Sequence, residues 1–254
     1  MNLSVVQEQF GSWAEKLAPF IVSPEFDEIF TFLKKEARSG KIICPQSKDT
    51  FRAFKECEYK DCKAVFFLQD PYPWTKNNKF VADGVPMSCR NTGELQPSLT
   101  LFYDGMEENL GKKVGRNADL TYLCHQGILI LNTSLTVELN KPTSHKEIWK
   151  KFTAYLINEV LNNYSTGLCV VAFGKHGQET AKSMMPFLHW TFDVEHPAAA
   201  SYAKRKWDHG NIFTGINTVL KNNQNDRIIW DYNDYYRHLQ SLVKPTVTNQ
   251  HISQ

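Results

Sequence analysis

The side chains in this sequence best suited to acid–base and hydrogen-bonding chemistry stand at the ends of four short apolar segments. A carboxylate, an amide and an imidazole that meet at one place would supply a base, a hydrogen-bonding group that reads a ligand, and an anion stabiliser. Each apolar segment is followed by polar residues: Asp70 follows Ala64–Leu68, Asn132 follows Gly127–Leu131, Gly174-Lys175-His176 follows Leu168–Phe173, and Glu195-His196-Pro197 follows Trp190–Val194.

Each of these polar residues, taken alone, also has an ordinary structural explanation. Asp70 precedes Pro71 and would equally well cap a turn. Asn132 would tie a loop, and His196 would be a buried histidine with satisfied hydrogen bonds. The shared position at segment ends is what favours a common site.

The apolar segments and the sequence between them predict the fold that would position these groups. The four short runs are typical of buried parallel strands, and helix-length amphipathic stretches separate them. This alternation predicts an α/β fold with a central four-stranded parallel sheet and helices on both faces, which binds ligands beyond the carboxyl ends of its strands. The predicted helices are Ser98–Leu110, Asn117–His125, Lys146–Leu161, Gly177–Met185 and Asn211–Asn222.

We expect one domain over residues 1–244 with a helical N-terminal portion of about 60 residues and a flexible tail over 245–254. The N-terminal helices are predicted at Val5–Leu17 and Pro24–Arg38. The segment Pro73–Gln96 is the longest stretch without periodicity. Long irregular loops in compact domains are often functional.

Bulk composition excludes several classes of protein. Of the 254 residues, 42% are hydrophobic and 22% charged, which is ordinary for a globular protein, and no apolar run is long enough to span a membrane. The start of the chain does not resemble a secretory signal. The six cysteines form no CxxC pair, so we expect reduced thiols and no metal site. The net charge of +2 does not by itself indicate nucleic-acid binding.

Several motifs, in order, resemble those of the family 1 uracil-DNA glycosylases over roughly residues 54–220. Leu68-Gln69-Asp70-Pro71-Tyr72-Pro73 is similar to the family's GQDPYH, and Leu129–Val137 is similar to LLLNAVLTV. Thr143-Ser144-His145-Lys146 resembles NSHK, and His196-Pro197 opens the counterpart of HPSPLS. Several motifs at family-like spacing are far more specific than one hexapeptide.

The resemblance implies a role for each residue at the substrate. Asp70 would handle the attacking water and stabilise a sugar cation, and His196 would donate a hydrogen bond to uracil O2. Asn132 would read the uracil edge, and Tyr72 would exclude the thymine methyl group. The other implied substrate contacts are Gln69 and Met87, the latter in Gly84–Ser88, which resembles GLCFS.

The resemblance also implies a DNA-binding surface, in which the residue that fills the base stack is missing from its usual position. Ala198-Ala199-Ala200 stands where the family has Ser-Pro-Leu, and Ala200 is too short to enter the base stack as that leucine does. We expect either a wedge from Tyr202–Trp207 or a preference for single-stranded DNA. Pro73, Leu68 and Met87 also depart from the family pattern. The implied DNA contacts are Ser88, Pro97, Ser98, Gly174, Lys175, Ala200, Ser201, Tyr202, Lys204 and Arg205.

The predicted function is therefore release of uracil from DNA in base excision repair, without a cofactor. Two alternatives stay open: a replication scaffold on a glycosylase fold, and a glycosylase for another modified base. We expect a monomer that acts on single- or double-stranded uracil-containing DNA, with replication proteins and a uracil-glycosylase inhibitor protein as further partners and no membrane association. DPYP and HPAA resemble motifs of poxvirus uracil-DNA glycosylases. A bacterial or phage chain would be cytoplasmic, whereas a eukaryotic or viral one would act in the nucleus or viral factory.

Overall fold

A four-stranded parallel sheet forms the centre of the computed structural model, which describes residues 3–243. The four predicted strands are confirmed, two of them with boundaries shifted by one residue. The strands are β1 Ile43–Cys44, β2 Ala64–Leu68, β3 Thr75–Lys76, β4 Lys79–Phe80, β5 Ile128–Asn132, β6 Val137–Glu138, β7 Cys169–Phe173 and β8 Trp190–Val194.

The strand order β5-β2-β7-β8 explains the sequence pattern of each strand. Every residue of β2, β5 and β7 is buried, so these strands read as unbroken apolar runs. The edge strand β8 exposes Trp190, Thr191 and Asp193. Helices flank the sheet, as the alternation of strands and helices predicted.

Eleven α-helices are found within residues 3–243, and none of the helices there is long and apolar enough to cross a membrane. The helices are α1 Leu3–Phe10, α2 Ala14–Ile21, α3 Pro24–Arg38, α4 Arg52–Glu56, α5 Pro97–Leu110, α6 Thr121–Cys124, α7 Lys146–Tyr155, α8 Gly174–Ala181, α9 Pro197–Tyr202, α10 Ile212–Asn222 and α11 Tyr232–Leu242.

The prediction of a helix over Asn117–His125 is wrong for its first half, since α6 covers only Thr121–Cys124. The side chain of Asn117 accepts a hydrogen bond from the Asp119 N–H at 2.9 Å, and Asp119 accepts from the Thr121 N–H at 3.0 Å. Such side-chain turns compete with helix formation.

Three other predicted helices differ in extent or geometry. Val5–Leu17 is interrupted at Gly11, where φ is +54°, by a 3₁₀ turn over Gly11–Trp13. Lys146–Leu161 is helical throughout, but its last six residues form a π-helix. Gly177–Met185 begins earlier, at Gly174, and ends at Ala181.

The N-terminal helices share one hydrophobic core with the sheet. Trp13 is fully buried and donates its indole N–H to the Cys57 carbonyl at 2.6 Å. Phe10 stacks close to Phe51, with ring centroids 4.2 Å apart. These contacts fix the chain that leads into β2. The predicted flexible tail, residues 245–254, lies outside the described residues.

Helix α8 lies so close to the sheet that only glycine fits at its fourth residue. A methyl group on Gly177 would lie 2.4 Å from the Phe67 carbonyl oxygen of β2. The Lys175-His176 pair in the first turn of α8 is thereby held near the carboxyl end of β2.

We expect Gly177→Ala to lower the free energy of unfolding by about 1–3 kcal/mol, the usual cost of overpacking. Guanidinium denaturation measures this change. Glu179→Ala, at an exposed position of the same helix, is the control and should change stability by less than about 0.5 kcal/mol. Equal unfolding midpoints for the two variants would contradict the close packing.

Candidate active site

The pairing of β2 with β5 continues past the ends of both strands and positions the first two candidate residues. Leu68 is in register with Asn132. The Thr133 N–H then donates to the Leu68 carbonyl and the Ser134 N–H to the Gln69 carbonyl, each at 3.0 Å. Asn132 therefore ends β5, and Asp70 follows the end of the adjacent strand β2 by two residues.

Asp70 is a partly buried carboxylate with one oxygen held in place. Its Oδ2 accepts a hydrogen bond from the Thr143 backbone N–H at 2.7 Å. Burial raises the pKa of Asp70, and the Thr143 hydrogen bond and the charges of His176 and Lys146 oppose that rise. The site thus combines desolvation with groups that favour the ionised carboxylate.

Asn132 lines a narrow pocket and carries an unsatisfied hydrogen-bond acceptor. The residue is 6% exposed, and its Oδ1 is buried without a hydrogen-bond partner among the described residues. Tyr72 and Met87 line the same pocket, together with Pro71 and Leu135. Leaving a buried acceptor unpaired costs about 1–3 kcal/mol. A ligand with an N–H group would satisfy it.

Tyr72 forms a fixed wall of this pocket. Its hydroxyl lies 2.6 Å from Ser98 Oγ and donates to the Met87 carbonyl at 3.3 Å. Burial raises the pKa of Tyr72, so the hydroxyl stays protonated. Ser98, an implied phosphate contact, is itself only 5% exposed and is engaged with Tyr72.

A buried ion pair that the sequence did not suggest shapes the opposite wall. Asp83 is fully buried, and its Oδ1 lies 2.9 Å from Arg52 Nη1. The same carboxylate accepts from the Val85 N–H at 3.0 Å and from the Arg90 N–H at 2.8 Å. It therefore closes the loop that presents Met87, whose φ of +62° is unusual for a residue with a side chain.

Ser88 belongs to this buried network. Its side chain is fully buried and donates to Asp83 Oδ2 at 2.7 Å. The hydroxyl also accepts from the Leu120 N–H at 3.3 Å. The structure thus places Ser88 inside the protein, and its hydroxyl does not face a phosphate.

His196 is held as a neutral imidazole at the end of β8. Its Nδ1 accepts a hydrogen bond from the Ala198 backbone N–H at 3.1 Å, so the single proton of the neutral ring is on Nε2. Burial lowers the pKa of His196 to about 4. The Nε2–H group is therefore a donor at neutral pH.

The structure brings the predicted substrate residues together at one edge of the sheet, although only some line the pocket. Asn132, Tyr72 and Met87 line it, whereas Asp70 and His196 do not. Gly174 directly follows β7, which lies between β2 and β8, and a methyl group there would lie 3.1 Å from His196 Cβ. Gln69 is partly buried, and its carbonyl accepts a hydrogen bond from the hydroxyl of Thr133, the residue that follows β5.

The predicted DNA contacts divide into buried and exposed residues. Ala200 is fully buried in α9, whereas Tyr202 is 82% exposed two residues later. Trp207 does not fit the predicted wedge, because it is buried and donates its indole N–H to the Glu195 carbonyl at 2.7 Å. The exposed residues are Pro97, Lys175, Tyr202, Lys204 and Arg205, with Gly174 and Ser201 partly exposed.

Comparisons with known proteins identify the family. The model of the uracil DNA glycosylase superfamily matches residues 54–222. A uracil-DNA glycosylase from Acinetobacter baumannii is 32% identical over 230 residues, covering 90% of this chain and 94% of that protein. One from Coxiella burnetii is 34% identical over 194 residues, covering 76% and 82%.

A solved structure agrees at the level of the fold. The crystal structure of mimivirus uracil-DNA glycosylase matches with a TM-score of 0.80 at 24% identity, covering 91% of this chain and 90% of that one. The resemblance predicted from the motifs is confirmed. This chain therefore belongs to the uracil-DNA glycosylase superfamily, a group of DNA N-glycosylases that act in repair.

Proposed function

We propose that this chain hydrolyses the N-glycosidic bond of a flipped-out deoxyuridine, with Asp70, His196 and Asn132 as the acting residues. The observation that carries the proposal is the buried Oδ1 of Asn132, which has no partner among the described residues and belongs to a residue that lines the pocket with Tyr72 and Met87. Uracil N3–H would satisfy this oxygen. The amide N–H of the same residue would donate to O4, which cytosine would mismatch.

His196 acts as a neutral donor to the departing base. Nε2–H would bond to uracil O2 as negative charge develops there, and preorganised donors of this kind contribute about 2.7–4 kcal/mol. Because Nδ1 is fixed by the Ala198 N–H, the ring needs no tautomer change.

Asp70 acts on the sugar side of the bond. The Thr143 N–H fixes one carboxylate oxygen, which leaves the other to orient the attacking water. The negative charge also stabilises an oxocarbenium-like sugar. A duplex base cannot reach these groups until it leaves the stack.

Tyr72 and Met87 determine which bases fit. The Tyr72 ring, fixed by Ser98, would collide with the thymine methyl group. Met87 covers the base face with a polarizable thioether and not an aromatic ring.

The natural partner in this proposal is uracil-containing DNA, bound by a monomer. The mimivirus Y322L variant was crystallised in complex with UGI. That complex supports the proposal that an inhibitor protein of this kind also binds here. The bacterial relatives support a cytoplasmic location.

Removal of the proposed base or the proposed donor tests the assignment. We expect Asp70→Asn to lower kcat for uracil release about 10²–10⁴-fold and His196→Ala to lower it about 10²–10³-fold. Release of free uracil from a labelled single-stranded oligonucleotide measures both rates. Asp193→Asn, at an exposed position of β8, is the control and should match the wild type. An Asp70→Asn rate equal to wild type would overturn the mechanism.

We expect the pH dependence of kcat/KM to follow the protonation of Asp70 and not that of His196. Protonation of Asp70 removes the charge that stabilises the sugar cation, so activity should fall with falling pH, with a midpoint above the ordinary aspartate pKa. His196 stays neutral down to a pH of about 4 and adds no inflection near its ordinary value of about 6.5. An inflection near pH 6.5 in the rate profile that is absent in His196→Gln would contradict this assignment.

We propose Tyr202 as the residue that fills the vacated base stack, since it is the large exposed side chain of α9. We expect Tyr202→Ala to lower kcat/KM on duplex DNA about tenfold, equivalent to about 1.4 kcal/mol, and to leave single-stranded cleavage unchanged. Paired assays on both substrates measure the ratio. Tyr236→Ala, exposed on α11, is the control. Equal losses on both substrates would exclude a wedge.

A further inference from the structure

A groove between α7 and α8 opens beside the Asp70 strand end and has no part in the mechanism so far. Its volume is about 370 Å³, and Thr133, Lys146 and His176 are among its lining residues. Thr133 Oγ1 donates to the Gln69 carbonyl at 3.2 Å. Because Gln69 immediately precedes Asp70, the groove begins next to the proposed catalytic carboxylate.

The lysines at this end of the groove form no salt bridge with protein carboxylates among the described residues. Lys146 and His176 have no salt bridge among the described residues, and neither has the exposed Lys175 that precedes His176. The acid that lines the groove, Glu179, lies 2.6 Å from Lys182. The unpaired positive charge therefore favours an anionic ligand.

A larger groove of about 910 Å³, between α5 and residues 201–207, carries more charges but suits a polyanion less well. Lys206 is paired with Glu108 at 2.7 Å, and Lys113 with Glu107 at 2.6 Å. Arg205 is paired with Glu195. Lys204 in this groove has no salt bridge among the described residues, but a phosphate would have to compete with carboxylates at Lys113, Arg205 and Lys206. No such competition is required at Lys146.

We propose that the α7–α8 groove binds the phosphodiester backbone of the uracil-bearing strand, with Lys146 and His176 contacting a phosphate next to the flipped nucleotide. This inference rests on the proposed function. The same two side chains lower the pKa of Asp70 through their charge, which agrees with their position near the carboxylate. Each nucleoside within a strand carries a phosphate at both its 5′ and its 3′ oxygen, so a deoxyuridine seated at Asp70 brings two phosphates to the neighbourhood of the groove.

Salt dependence tests the proposal, because each lost phosphate contact on single-stranded DNA reduces the slope of log(kcat/KM) against log[salt] by about 0.7. We expect this reduction for Lys146→Gln. Lys146→Arg should restore the slope. Lys60→Gln, an exposed lysine just before β2 and so at the opposite end of the sheet from Asp70, is the control and should keep the wild-type slope.

Single methylphosphonate linkages, which remove one phosphate charge, locate the contact. When the methylphosphonate replaces the contacted phosphate near deoxyuridine, kcat/KM of the wild type should fall several-fold relative to unmodified DNA. The kcat/KM of Lys146→Gln should not fall at that linkage. Equal losses in both enzymes at every linkage, or an unchanged salt slope, would overturn the groove assignment. If the wild type releases no uracil, the proposed function itself fails, which distinguishes the two results. Unfolding midpoints close to wild type exclude misfolding as the cause.

Discussion

The parallel pairing of β2 with β5 is the constraint on which the site depends. The two buried strands pair with Leu68 opposite Asn132, and a slip of one residue would move every side chain of a strand to the other face of the sheet. Two further hydrogen bonds, to the Leu68 and Gln69 carbonyls, carry that alignment past the strand ends. Packing in the core thereby determines the positions of Asp70 and Asn132.

The second constraint is electrostatic and acts on the pocket wall. Asp83 is removed from water, so its charge is tolerated only because Arg52 and several donors surround it. Removing one partner of a buried pair typically destabilises a protein by about 3–5 kcal/mol. Here the same carboxylate closes the loop that carries Met87, which links the shape of the pocket to α4.

The sheet and the edge at which the polar groups meet could be predicted from the sequence, because unbroken apolar runs followed by polar residues leave few alternatives. The family could be predicted from the resemblance of several motifs in order. The Arg52–Asp83 pair could not, since 31 positions separate the partners and no periodic pattern joins them. Side-chain turns at Asn117 and Asp119 overrode a helical pattern. The burial of Trp207 depends on Gly105, where a methyl group would lie 2.6 Å from the indole.

The packing of α9 explains why this chain departs from the family pattern at Ala200, where the family has leucine. Ala200 points into the core, so its small size suits a buried position, and Tyr202 leaves the same short helix toward solvent. The neighbouring cations are largely engaged by protein carboxylates. With a net charge of only +2, attraction for DNA then depends on where unpaired cations lie, and Lys146 places such charge near the carboxylate that must stay ionised.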